Sequence, residues 1–196
     1  GLMLYLVTLV FVKSLHELGH AFVSKYFGCR VSSIGIAFLV FFPFLYTDTS
    51  DAWRLRDHKD RLLINFAGIL TELHLALIST FLWAILPDGG LKSVAFFIAT
   101  TSWISSLAIN VSPFMRFDGY YVFSDWLKAE NLQPRSFALA RWQLREILFG
   151  FNHPPPEDLN PSRRWTFISY AWLTWVYRFF IFLGIALLVY HLAFKT

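Results

Sequence analysis

The sequence predicts an all-α polytopic membrane protein with about four transmembrane helices. Three observations support this fold class. Hydrophobic residues make up 56% of the 196 residues, and phenylalanine alone occupies 22 positions, a composition outside the usual range of soluble proteins. The mean hydropathy is +0.50. Apolar runs of about 20 residues, the length needed to cross a bilayer, recur along the chain between polar breaks.

The predicted spans cover residues 2–27, 62–86, 91–111 and 165–196. Between the first and second lies a shorter apolar segment, 31–46, rich in β-branched and aromatic residues. We predict that it forms a short re-entrant or β-like element that dips into the membrane, with a plain interfacial loop as the alternative. The chain then divides into a membrane-embedded core (1–127), a cytoplasmic amphipathic and Pro-rich connector (128–164) and a C-terminal transmembrane helix (165–196).

The first predicted span contains the pattern HExxH, as His16-Glu17-Leu18-Gly19-His20. On a helix, two histidines four residues apart share one face and can bind one metal ion, while the glutamate between them can accept a proton from metal-bound water. The alternative is a pair of solvated helix histidines. It fits poorly, because ionisable groups within a span face a protein interior or a cavity. Lys13, on the same face, is interpreted as a snorkelling residue.

The basic residues predict the orientation in the membrane. If segment 31–46 dips in and returns, almost all loop lysines and arginines lie on one side, and only Lys92 and Lys195 lie on the other. By the positive-inside rule the basic side is cytoplasmic, which places the HExxH turn in the cytoplasmic half of the bilayer. The arginines of the connector are expected to meet anionic lipid headgroups, and no nucleic-acid-binding motif accompanies them.

A catalytic zinc site typically has three protein ligands, so the two histidines need one more donor. The third span ends near Asn110, and Pro113 and Gly119 break the helix around Asp118. Under the predicted topology Asp118 lies at the depth of the HExxH turn, so we choose it as the third ligand. An interfacial turn with Asp118 as a cap is the alternative.

HELGH, together with an Asn-x-x-Pro segment that leads into Asp-Gly, resembles the site-2 protease family of intramembrane zinc metalloproteases, the M50 type. Residues 113–121, followed by Ser124-Asp125, are similar to the bacterial peptide zinc metalloprotease branch, whose members often accompany secretion or peptide-maturation systems. The resemblance extends from residue 16 to about residue 132. It implies one zinc ion (Zn2+) per chain, held by His16, His20 and Asp118. It also implies Glu17 as general base and Asn110 as a residue that holds the scissile carbonyl.

The chain departs from the family pattern in the helix after HExxH. There the family often shows Gly-Pro-x-x-Asn, whereas residues 67–72 read Ala-Gly-Ile-Leu-Thr-Glu. Two roles stay open for Glu72, a partner to a ligand histidine or a structural ion pair with a buried arginine or lysine. Two roles also stay open for Asn110, a hydrogen bond to the scissile carbonyl or an interhelical amide contact.

These residues predict a zinc metalloendopeptidase that acts on a membrane-embedded or membrane-associated peptide or protein. The resemblance implies a bacterial cytoplasmic membrane. Segment 31–46 is the candidate for holding a substrate as an added β-strand. A catalytically silent pseudoprotease that serves as a binding or maturation subunit is the main alternative, and the intact ligand spacing argues against it. A membrane di-iron oxidase needs several histidine boxes, which the other histidines do not form, and a transporter explains HExxH less well.

Overall fold

The computed structural model describes residues 2–39 and 42–194, which form six α-helices and one β-hairpin. The chain divides into two compact units, Gly1–Lys128 and Ala129–Thr196. The tip of the predicted re-entrant element, residues 40–41, and the last two residues of the predicted C-terminal span, 195–196, lie outside the described residues.

Two long helices form the centre of the first unit. Helix α1 (Leu2–Tyr26) packs against α2 (His58–Ile85), and both pack against α3 (Gly90–Trp103). The α1–α2 approach is close because Gly19 lies directly against Thr71, where a Cβ atom would overlap the threonine hydroxyl. Helix α2 begins after Asp57, whose side chain caps it by accepting a hydrogen bond from a backbone N–H of the first turn.

The third predicted span, 91–111, is not one continuous α-helix. Helix α3 has 14 residues and is followed by a π-helix of seven residues, Ile104–Asn110. π-Helical turns are rare and are frequently found at functional sites. The chain then turns into α4 (Asp118–Trp126), a helix that the sequence analysis did not predict.

Segment 31–46 contains an antiparallel hairpin. Strand β1 (Ile34–Leu39) pairs with β2 (Phe42–Thr47), in a register that sets Ile34 opposite Thr47. Alternate side chains of β1 at positions 34, 36 and 38 are exposed apolar groups on one face. The hydroxyl of Thr47 donates to the backbone carbonyl of Glu17 at 3.0 Å, so the end of β2 is joined to the HExxH turn. The entry of this hairpin into the membrane stays a prediction.

Among the described residues, three helices are long and apolar enough to cross a membrane: Met3–Tyr26, His58–Ile85 and Pro161–His191. They correspond to the first, second and fourth predicted spans. Because α3 is short, the count of four spans stays a prediction.

The second unit consists of two helices, α5 (Leu132–Phe149) and α6 (Pro161–Phe194), which pack against each other. Their shared core includes the buried side chains of Leu139 and Phe167. Arg178, which the sequence analysis passed over, lies within α6 with its guanidinium 5.7 Å from the centroid of the Phe137 ring. The predicted amphipathic segment of the connector is therefore part of a helix with a tertiary partner.

Candidate metal centre

The three side chains predicted as zinc ligands meet at one point. Nε2 of His16 lies 2.9 Å from Oδ2 of Asp118. Nε2 of His20 lies 3.3 Å from the same oxygen and 3.2 Å from Nε2 of His16. Both histidines are buried, and the Asp118 side chain is 22% exposed. Within the described residues, this is the one group of three or more metal-binding side chains whose ligand atoms come close enough to share an ion.

The chemistry of this donor set fits zinc. Zinc binds imidazole nitrogen and carboxylate oxygen at about 2.0–2.2 Å in a tetrahedron, which separates neighbouring donor atoms by about 3.3–3.6 Å. The two separations that involve His20, 3.2 and 3.3 Å, lie close to this range, and the separation of 2.9 Å between His16 and Asp118 is shorter. Carboxylate oxygen and neutral imidazole nitrogen are both ordinary zinc ligands, and an aspartate binds the ion in its deprotonated form.

The backbone of α2 orients His20. Its Nδ1 atom lies 2.8 Å from the carbonyl oxygen of Ile64. Because a carbonyl oxygen only accepts hydrogen bonds, Nδ1 carries the proton and Nε2 keeps its lone pair. This lone pair faces Asp118, which is the arrangement that a metal-ligating histidine requires.

Glu72 contacts His16 at Nδ1. Nδ1 of His16 lies 3.1 Å from Oε1 of Glu72, whose side chain is 0% exposed. The carboxylate accepts from the Nδ1–H group, so Nε2 is the nitrogen of His16 that is left to bind an ion together with the other two ligands. Nζ of Lys13 lies 2.8 Å from the same oxygen of Glu72. Glu72 thus makes both of the contacts left open for it, and the interpretation of Lys13 as a snorkelling residue is corrected to an ion-pair partner.

Four residues of α2 face the centre or its surroundings along one stripe. They are Arg61, Asn65, Gly68 and Glu72. Their intervals of four, three and four residues place them on one side of a helix. At Gly68, a Cβ atom would overlap the imidazole rings of both histidines, so only glycine allows the rings to lie against α2. The helical spacing of these four residues is present in the sequence, but our predictions did not include this stripe.

A second acidic residue of α4, Asp125, forms hydrogen bonds with α2. Asp118 is the first residue of α4, and Asp125 lies seven residues, about two helical turns, further along the same face. Asp125 is buried, and it accepts from Nε of Arg61 and from Nδ2 of Asn65, both at 2.7 Å. These contacts hold the face that carries Asp118 against α2.

Glu17 lines a cavity of about 510 Å³ together with His20 and Asp118. This volume falls in the range of small-molecule and peptide sites. The cavity extends from His20 and Asp118 to the end of β2 and the beginning of α2, and its lining includes Tyr46, Thr47, Asp48, Trp53, Arg61, Asn65 and Tyr121. The half-buried Glu17 therefore faces a space in which a substrate can bind.

Residues 3–110, more than half of the chain, match Peptidase family M50. The chain belongs to this family. No curated protein and no solved structure matches it. The resemblance to the site-2 protease family is thereby confirmed, while the narrower placement in the bacterial peptide zinc metalloprotease branch stays a prediction.

The M50 match extends from α1 to the end of the π-helix, so it includes the HExxH turn, the hairpin and the α2 stripe. Asp118 lies beyond the matched residues. It is associated with them in space, because its Oδ2 lies 2.9 Å from His16 and 3.3 Å from His20. Family membership, together with three long apolar helices, indicates an integral membrane protein.

Asn110 is the last residue of both the π-helix and the M50 match. It is buried, and its Nδ2 donates to Oε2 of Glu72 at 3.0 Å. The described lining of the cavity does not include Asn110. This hydrogen bond joins two helices, which is one of the two roles predicted for Asn110. Its role in holding a scissile carbonyl stays a prediction.

Proposed function

We propose that this M50 peptidase is an intramembrane zinc metalloprotease that hydrolyses a peptide bond of a membrane-embedded or membrane-associated protein or peptide. One observation carries the proposal: the ligand atoms of His16, His20 and Asp118 converge at one point, and two of these residues, His20 and Asp118, line the same cavity as Glu17. Family M50 is generally zinc-dependent, which agrees with this donor set.

His16 and His20 would hold the ion through Nε2, and Asp118 through Oδ2. A set of three protein ligands leaves the fourth position of a tetrahedral site open, as catalytic sites require. When bound, zinc supplies Lewis acidity, which polarises a peptide carbonyl and lowers the pKa of water to about 7. Glu17 is the general base of the proposal, because its carboxylate can take a proton from the attacking water and deliver it to the leaving amine.

The hairpin is the proposed substrate holder. A helical substrate must unwind first, because the carbonyl oxygens of a helix are already hydrogen-bonded. Strand β2 ends at Thr47, in the cavity wall and in contact with the backbone of Glu17. Each strand of the hairpin has one edge that no described residue pairs. A substrate strand added along the β2 edge would run toward Glu17.

We also propose a four-span topology that places the active site in the cytoplasmic half of a bacterial cytoplasmic membrane. Helix α3 and the π-helix together cover residues 90–110, about the length of one span. The exposed Ile34, Ile36 and Phe38 suit a hairpin that contacts lipid. A partner from a secretion or peptide-maturation system is part of the proposal through the resemblance to the bacterial branch.

The test compares the zinc-loaded native protein with Glu17→Gln, which keeps the shape of the side chain and removes the base. The probe is a library of synthetic apolar peptides in detergent, with products identified by mass spectrometry. We expect cleavage by the native protein that phenanthroline abolishes and that Glu17→Gln slows by about 10²–10⁴-fold. Glu130→Gln, an exposed position, is the matched control and should cleave like the native protein. Equal cleavage by Glu17→Gln would overturn the mechanism, and zinc-bound protein without any turnover would favour the pseudoprotease.

A further inference from the structure

Glu72 is a carboxylate that the sequence places in the middle of a long apolar helix, and the structure surrounds it with donors. Its side chain is 0% exposed. Lys13 and His16 reach Oε1 from α1, at 2.8 and 3.1 Å. From the π-helix, the Ser105 hydroxyl donates to Oε1 at 3.2 Å and the Asn110 amide donates to Oε2 at 3.0 Å. Both carboxylate oxygens are therefore hydrogen-bonded, by donors from two neighbouring elements.

The charges in this group explain why Lys13 is present. A carboxylate in an apolar interior is costly unless a cation and hydrogen bonds compensate it. Lys13 is the cation in contact with Glu72, and its side chain is 27% exposed. One ammonium and one carboxylate balance, so the contact from Nδ1–H of His16 is not needed to compensate the charge of Glu72.

We propose that the Lys13–Glu72 ion pair is a positioning device for His16, with a separate task for each partner. Glu72 accepts the Nδ1–H of His16 and thereby directs Nε2 toward His20 and Asp118. Lys13 keeps the carboxylate of Glu72 compensated within the helix bundle. The inference rests on the proposed function, because it assumes that His16 binds zinc. It adds two residues that do not themselves contact the ion or the substrate.

The experiment separates the two tasks by measuring two quantities on each protein in detergent. Zinc affinity is measured by competition with a chromophoric chelator. Stability is measured as the unfolding temperature with excess chelator, so that zinc does not contribute to it. The variants are Glu72→Gln, Lys13→Met and the double variant Lys13→Met/Glu72→Gln, which carries neither charge. Lys25→Met removes an exposed lysine from the last turn of the same helix and is the matched control.

Zinc affinity should depend on whether the carboxylate of Glu72 is present. We expect a 10–100-fold loss in Glu72→Gln and the same loss in the double variant, the range found when a partner of a ligand histidine is removed. The unfolding temperature should depend on whether the charges at positions 13 and 72 balance. Lys13→Met should unfold at a lower temperature than native, whereas the double variant should unfold near the native temperature. Lys25→Met should match the native protein in both measurements.

The possible results test the role of Glu72, the role of Lys13 and the zinc site separately. If the native protein binds zinc and Glu72→Gln binds it equally well, Glu72 only tethers helices and the inference is overturned alone. If Lys13→Met is as stable as the native protein, the task assigned to Lys13 is wrong. If Lys13→Met does not fold, the double variant still tests Glu72, because it retains charge balance. A native protein that binds no zinc overturns the proposed function, and this inference with it.

Discussion

Arg61 donates from Nε to Oδ1 of Asp125 at 2.7 Å, and both side chains are buried between α2 and α4. Asp125 is thus the anchor of the helix whose first residue is Asp118. Removal of one partner of a buried ion pair leaves the other charge uncompensated, which is strongly destabilising.

Asp125→Ala should therefore lower the free energy of unfolding by about 3–5 kcal/mol. It should also weaken zinc binding by about 10-fold or more, because α4 no longer holds Asp118 in place. Asp88→Ala is the matched control. It also removes the carboxylate of an ion pair, the one with Lys92, but the Asp88 side chain is 96% exposed. The control should change stability by less than about 1 kcal/mol. An Asp125→Ala protein with native zinc affinity would contradict the anchoring role.

Gly68→Ala should disrupt the centre without changing any ligand. The added methyl group overlaps both imidazole rings, so we expect a loss of about 1–3 kcal/mol and much less zinc per chain. Gly184→Ala is the control, because no atom lies near the added group. It lies inside α6, where alanine in place of glycine should be neutral or stabilising by up to about 1 kcal/mol. Full zinc occupancy in Gly68→Ala would show that the rings do not lie against α2.

Asn110→Ala separates the two roles of Asn110. The contact with Glu72 predicts a several-fold weaker zinc affinity and, at saturating zinc, a kcat within about 3-fold of native. Ser105→Ala removes another donor to Glu72 and should behave alike. The measurements are zinc competition and peptide cleavage. A kcat lowered by about 10²–10³-fold at saturating zinc would instead assign Asn110 to the scissile carbonyl.

The second unit should show a pH dependence that originates at Glu157. Hydrogen bonds from Arg135 lower the pKa of Glu157 below its usual value. Because the folded-state pKa is the lower one, this stabilisation is present above the unfolded-state pKa of about 4.3 and disappears as the pH falls through the folded-state value.

Glu157→Gln should accordingly be less stable than native near pH 6, by less than about 1 kcal/mol because the pair is about one-third exposed. Below the folded-state pKa of Glu157 the two proteins should converge, since the native carboxylate is then protonated. Unfolding temperature against pH measures this, and Asp158→Asn, at an exposed neighbouring position, controls for the loss of one negative charge. A constant difference at all pH values would mean that Glu157 acts through packing.

The parts of this structure that could be predicted from the sequence are those that depend on local geometry. The spacing of His16 and His20 predicts a shared helix face, because the helix repeat requires it. The lengths of the apolar runs predict α1, α2 and α6 to within a few residues of their observed bounds. Asp118 could be predicted as the third ligand because the predicted topology places it at the same membrane depth as the HExxH turn, and because it lies between the helix-breaking residues Pro113 and Gly119.

The remaining features depend on which faces of the helices pack together, and no local pattern contains that information. The contacts of Glu72 with His16, and of Arg61 with Asp125, are of this kind. The π-helix within 104–110 was missed for another reason. Hydropathy averages over a segment and does not distinguish i→i+5 from i→i+4 hydrogen bonding.

The most direct test of the central claim is the zinc content of detergent-purified protein, measured by inductively coupled plasma mass spectrometry after metal-replete expression. The samples are the native chain, His16→Ala, Asp118→Ala and the control Lys25→Met. A three-ligand centre predicts about one zinc per chain in the native protein and the control, and a sharp reduction in both ligand variants. Native protein without zinc, or ligand variants with full zinc, would contradict it.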